Sequence, residues 1–213
     1  SVPPRRSSDL NDKIVGTVAQ KDPDTENPEF KDLHAVGTIG QIVKLLEMPD
    51  GSTTAIIQGR KRMVLHELVS DDPYFIARVK TIPEVKPESL SKDFDAIVGS
   101  LKDLSLKIIK INPNISPEAS FAIKNIENNT YLINFICSNT DIKVQDKQKL
   151  LEMNSLRDRG FMLLEFLVQE IQVLELKNEL QSKVKSDLDQ QQREFLLHQQ
   201  MKTIQNELGG NPV

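Results

Sequence analysis

Apolar and polar positions change rhythm once along this chain. Up to about residue 80 they come in short β-branched runs, and beyond it they recur at helical spacing. Ile14-Val15-Gly16-Thr17-Val18-Ala19 is the first run, and the stretch from Asp22 to Pro28 carries turn chemistry. His34 to Leu46 predicts a long strand, in which Gly37 and Gly40 mark a bulge or a barrel bend. Pro49-Asp50-Gly51-Ser52 reads as a hairpin turn. Two further strands are expected over Thr54–Gly59 and Arg62–Val69, then a turn at Asp71-Asp72-Pro73 and a last strand over Tyr74–Val79. Short strands joined by tight turns indicate an antiparallel sheet or small barrel.

Pro83 to Pro87, with the charges between them, read as a linker. After Ser89 the apolar positions Phe94, Ile97, Val98, Leu101, Leu104, Leu106, Ile108 and Ile109 suit a helix that ends before Asn112-Pro113. Ser116-Pro117-Glu118 predicts the next helix start, with Ser at the cap and Pro at the first helical position. Short helices are expected near Thr130–Cys137 and Val144–Met153. Phe161 to Leu208 contains neither Gly nor Pro, enough for roughly 70 Å of helix at 1.5 Å per residue. Its first half has apolar lines able to pack on a core, its middle from Gln181 to Glu194 is nearly all polar, and Gly209-Gly210 ends it. The apolar line is too broken for sustained heptads, so a helix bridging two bodies through solvent is favoured over a coiled coil. The expected division is a β-rich domain over 1–82, a linker over 83–87, a helical subdomain over 88–156 and a long helix over 157–209.

Composition narrows the function classes. The net charge of −4 and the scarcity of aromatics, without any Trp, argue against a nucleic-acid partner. The main basic run, Arg60-Lys61-Arg62, reads as a solvated strand start rather than a phosphate site. The single cysteine, Cys137, lies in an apolar run and reads as a core residue, and no disulfide can form within the chain. No apolar run approaches the ~20 residues of a membrane span, and Ser1–Leu10 does not resemble a secretory signal. A cytoplasmic protein without a membrane partner is the expectation.

Catalytic patterns are missing. No P-loop, dinucleotide fingerprint or nucleophile elbow is present, and His34, His66 and His198 are too far apart in sequence to form a recognised metal cluster with the lone cysteine. Asp22, Asp24, Asp71 and Asp72 sit in turns, where Asp caps backbone groups. The chain is therefore expected to have no catalytic residues, to bind no metal and to hold no cofactor of its own.

Several segments resemble a known family. Gly16-Thr17-Val18-Ala19-Gln20-Lys21-Asp22, Val36-Gly37-Thr38-Ile39-Gly40-Gln41-Ile42, Pro49-Asp50-Gly51 and Gln58-Gly59-Arg60-Lys61-Arg62 are similar to strands of the N-terminal domain of bacterial Lon ATP-dependent proteases. Asp146 to Glu152 fits the same family, and Gln192 to Gly209 is similar to the helix by which Lon enters its ATPase module. The resemblance covers about residues 13–210. One part departs: Lon N-domains open with a Leu-Pro-x-x-Pro-Leu strand, which Ser1–Ser8 does not supply, and a barrel without it exposes an edge.

The resemblance implies an α+β fold: a small antiparallel β pseudo-barrel (PUA-like), then an α-helical subdomain and one very long C-terminal helix. It also implies a parent enzyme that is a hexameric, ATP-dependent serine protease of protein quality control. ATP, Mg and the Ser-Lys dyad would belong to modules absent here. The expected partners are unfolded or tagged protein substrates, the chain's own ATPase–protease modules and further copies of itself. Met48 at the hairpin turn, then Met153, Phe161 and Met162 near the helical junction, are the candidate substrate contacts, because flexible apolar side chains suit varied clients. The alternatives are an oligomerisation module without substrate contact and a stand-alone pseudo-barrel RNA-binding protein.

Overall fold

The computed structural model describes residues 14–87 and 92–209. The Ser1–Leu10 segment, Ser89 and Gly210 lie outside them. Four antiparallel strands form one sheet in chain order: β1 (Ile14–Thr17), β2 (Val36–Glu47), β3 (Thr53–Ser70) and β4 (Ile76–Thr81). Among the described residues β1 pairs only with β2 and β4 only with β3, so the sheet is an open meander.

The β2–β3 turn forms as its sequence predicts. Gly51 takes φ +81°, the left-handed conformation that glycine adopts without steric cost, and the Asp50 carboxylate accepts from the Ser52 backbone N–H at 2.9 Å. The two strands expected on either side of Gly59-Arg60-Lys61 are instead one 18-residue strand, β3. The ladder slips by one residue there, Ile39 facing Lys61 but Gly40 facing Gly59, so Arg60 is absorbed as a bulge and the strand bends without breaking. Gly37 permits the close approach of β1: a Cβ at this position would lie 2.4 Å from the Thr17 carbonyl oxygen and 2.5 Å from Val18 Cγ1.

Among the described residues five α-helices follow: α1 (Lys92–Ile111), α2 (Ala119–Asn125), α3 (Asn129–Asn139), α4 (Val144–Glu152) and α5 (Leu156–Glu207). The α2 start falls later than Ser116-Pro117 predicts. Ala119, Ser120 and Phe121 donate backbone bonds three residues back, a tight turn that delays the regular helix. Asn128 caps α3, its side-chain oxygen accepting from Tyr131 N at 2.9 Å. Gly209, at φ +68°, follows the end of α5.

Two compact units emerge from the contacts: Ser1–Leu101 with Ile126–Leu164, and Lys102–Asn125 with Glu165–Val213. The first holds the sheet, with Met63, Phe94, Val98, Leu101, Leu132, Ile133, Leu150, Leu156 and Leu163 buried. Residues 83–87, expected as a linker, are bonded into this unit. Val85 bridges Ser155 in parallel, donating to Asn154 O at 3.0 Å and accepting from Leu156 N at 3.1 Å. In the second unit Ile108, Ile123, Leu167 and Ile171 are buried. Asn178 Nδ2 there donates to the last α1 carbonyl, Ile111 O, at 2.9 Å.

Candidate client-contact surface

The β2–β3 hairpin extends past both neighbours. β1 covers β2 only from Thr38 to Gln41, and β4 covers β3 only from Met63 to Ser70. Among the described residues, Ile42–Glu47 and Thr53–Ile57 therefore form a two-stranded ribbon, and every β3 residue from Thr53 to Lys61 is exposed. Register decides what the ribbon offers. Ile42 faces Ile57 and Leu45 faces Ala55, so these four side chains share one face, while Lys44, Leu46, Thr54 and Ile56 share the other. The first face is apolar, with Leu45 and Ile57 exposed and only Glu47 and Thr53 at its rim toward the turn. Apolar side chains exposed side by side on one face are candidates for contact with another chain.

Met48 ends this ribbon and is exposed, accepting from Gly51 N and donating its own N–H to Ser52 O. Phe161 is exposed on α5, while Met153 and Met162 are half-buried. The structure does not bring Met48 to the other three. Helix α4 meets β2 at its beginning, where Gln148 Nε2 donates to Val36 O at 3.0 Å, and Met48 lies beyond the far end of that strand, roughly 40 Å along it at ~3.3 Å per residue. Met153 is committed elsewhere through its carbonyl, which accepts from Arg62 Nη1 at 2.9 Å and from Arg159 Nη2.

Sequence reasoning missed three features. The ribbon face depends on cross-strand register, which no single strand displays. A second exposed apolar group, Val69, Phe75 and Ile76, surrounds the β3–β4 turn, where Phe75 meets Phe30 edge-on at 6.4 Å between ring centres. The third is a correction to the basic run. Arg62 is not part of a solvated strand start: it is 7% exposed and its guanidinium is fully engaged within the fold. Its Nε donates to Glu84 Oε1 at 3.0 Å, its Nη1 to Leu151 O and Met153 O, and its Nη2 to Pro83 O. Burial first, and then the neighbouring Arg159 guanidinium, hold the Arg62 pKa below its usual value. Arg60 lies outside this cluster, donating to Gln41 Oε1 at 2.8 Å.

Cys137 is half-buried and its thiol is pushed up to about 12, mainly by burial, which keeps it out of the thiolate form a nucleophile needs. Among the described residues no group of three or more His, Cys, Asp or Glu could hold a metal ion, and no helix is long and apolar enough to cross a membrane.

The family model of the ATP-dependent protease La (LON) substrate-binding domain matches residues 5–169. The chain belongs to the Lon substrate-binding domain family. Lon relatives agree over nearly the whole chain. The Lon protease of Flavobacterium johnsoniae is 50% identical over 198 residues, covering 93% of this chain and 24% of the relative. That of Parabacteroides distasonis is 43% identical with the same coverage, and Lon protease 2 of Myxococcus xanthus is 34% identical over 199 residues, 93% of this chain and 24% of the relative. The chain thus spans about a quarter of the length of the curated Lon relatives it matches. The fold agrees with a solved Lon structure, the N-terminal domain of the Mycobacterium avium complex Lon protease. The TM-score is 0.55 at 18% identity, covering 67% of this chain and 74% of that one. The four-stranded antiparallel sheet followed by helices and a long C-terminal helix is the α+β arrangement the resemblance implied.

Proposed function

We propose that this chain is the client-binding region of a Lon-type ATP-dependent serine protease of cytoplasmic protein quality control. It takes non-native protein segments on the ribbon and couples them through α5 to a hexameric ATPase–protease core. The observation that carries the reading is the apolar ribbon face of Ile42, Leu45, Ala55 and Ile57, on a chain whose family model is described by substrate binding. Unfolded clients expose the apolar side chains that such a face can cover, and folded ones do not. Met48, exposed where the ribbon ends, would add a contact at its tip; Phe161, with Met153 and Met162, would form a separate contact on the helical side. ATP, Mg and the Ser-Lys dyad of such an enzyme are assigned to the other modules, and this region performs no bond-breaking step.

The role of α5 follows from its length. Its 52 residues span roughly 78 Å at 1.5 Å per residue, which suits a stalk. A second reading, an oligomerisation module, is favoured by Leu197, Met201, Ile204 and Leu208, all exposed and spaced four, three and four apart as in a helix-pairing seam. Two measurements on the 213-residue chain separate the readings. A labelled, carboxymethylated unfolded polypeptide should bind it with measurable anisotropy change, while the same polypeptide in its native form should not. Equal binding of both forms, or none, would overturn client recognition, and a tight assembly by sedimentation without client binding would establish the second reading in its place.

A further inference from the structure

One buried cluster is not used by the proposed contact surface. It joins three parts of the first compact unit: Arg62 on β3, Glu84 in the segment after β4, and Arg159 in the opening turns of α5. A single carboxylate oxygen, Glu84 Oε1, accepts from Arg62 Nε at 3.0 Å and from Arg159 Nη1 at 3.1 Å. A single carbonyl, that of Met153, also accepts from both guanidiniums. Arg159 Nη1 donates further to Asn134 Oδ1 at 2.8 Å, bringing in α3. Arg159 is 2% exposed.

Such a cluster is a poor source of stability. Two guanidiniums share one carboxylate, and Glu84 Oε2 and Arg159 Nε are buried without a hydrogen-bond partner among the described residues. Desolvating these charges costs free energy that apolar side chains of similar volume would not cost. Apolar packing is in fact what lies one residue away, where Ile97, Ile133 and Leu101 surround Gly160. What the planar forks supply, and methyl groups do not, is direction.

We propose that Arg62, Glu84 and Arg159 form a positioning joint, setting the direction in which the first turns of α5 leave the sheet. The parallel bridge between Val85 and Ser155 is its backbone half, pinning the residue next to that carboxylate to the start of α5. A load taken up by the ribbon on β3 then reaches α5 through Arg62, Glu84 and Arg159 rather than through deformable side-chain packing. The consequence for client transfer rests on the reading of the chain as a client-binding region; the joint itself does not.

The test uses the 213-residue chain with Cys137→Ser, spin labels at the exposed positions His66 and Phe161, and pulsed dipolar spectroscopy. The distance distribution should be narrow in the parent and clearly broader in the isosteric Glu84→Gln variant. An Ile133→Val control that lowers Tm by a comparable amount should stay narrow. An unchanged width in Glu84→Gln, or equal broadening in the control, would overturn the proposal. Failure of the unfolded polypeptide to bind would remove the client reading while leaving these widths, and hence the joint, intact.

Discussion

Replacing Leu45 and Ile57 by threonine tests the ribbon face most directly. Threonine is β-branched and favours a strand, while it converts each side chain to a smaller, polar one. A leucine or isoleucine fully removed from water contributes about 1.5–3 kcal/mol. Leu45 is 43% exposed and Ile57 41%, so a client covering both gains about two-fifths of that from each, roughly 1–2.5 kcal/mol together. At about 1.4 kcal/mol per tenfold, the double variant should bind an unfolded polypeptide about 5- to 60-fold more weakly. Because the lost term is apolar, the ratio of parent to variant affinity should change little between low and high salt. Fluorescence anisotropy of a labelled polypeptide reads the affinity, and circular dichroism confirms the fold. Val69→Thr, at the opposite end of β3, is the control and should change affinity less than about twofold, since Val69 lies off the face. Unchanged affinity in the folded double variant, or an equal loss in Val69→Thr, would refute the assignment of clients to this face.

Two further predictions concern the scaffold. Gly37→Ala and Gly99→Ala should act with opposite signs in urea unfolding. The first drives a methyl against the Thr17 carbonyl and should cost about 1–3 kcal/mol, whereas the second meets nothing within 4 Å on an exposed helical face and should gain about 0.5–1 kcal/mol. The Cys137 thiol, raised from 9.0 to about 12, should alkylate about 1000-fold more slowly at pH 8 in the folded chain than in urea. Its contribution to stability is complete below pH 9 and is lost as pH rises toward 12, because the unfolded thiol releases its proton first; a Cys137→Ala variant should lose that part of the alkaline decline, and equal alkylation rates in both states would contradict the burial account.

Strands, turns and the long helix were legible because their signals are local. Alternation, the Pro49-Asp50-Gly51 turn and the absence of Gly and Pro from Phe161 to Leu208 each act within a few residues of the structure they specify. The continuity of β3 was not legible, because Gly59 signals a break and only the partner strand, slipping by one residue, converts it into a bulge. The burial of Arg62 escaped for the same reason. Its partners lie 21 to 92 residues away, and the carboxylate that neutralises it sits in a Pro-flanked stretch that reads as a linker. The apolar ribbon face was half legible: the Pro49-Asp50-Gly51 turn announced where the ribbon ends, but the pairing of Leu45 with Ala55 and of Ile42 with Ile57 exists only once the register is set.

From Glu179 to Gly209 every residue is exposed, so this end of α5 is held by local hydrogen bonds, those of its backbone and a few such as Gln190 Nε2 to Glu194 Oε1, rather than by burial. Such a segment obeys the helix–coil equilibrium of an isolated peptide, gaining or losing one residue at a time for a small free-energy change. Its working length is then a thermodynamic variable rather than a fixed dimension. Warming retracts the helical boundary from Gly209 inward while the two cores stay folded, and any partner that covers Leu188, Leu197 or Met201 lengthens it again. The reach of α5 is therefore set by its surroundings, and the fold supplies only where it begins.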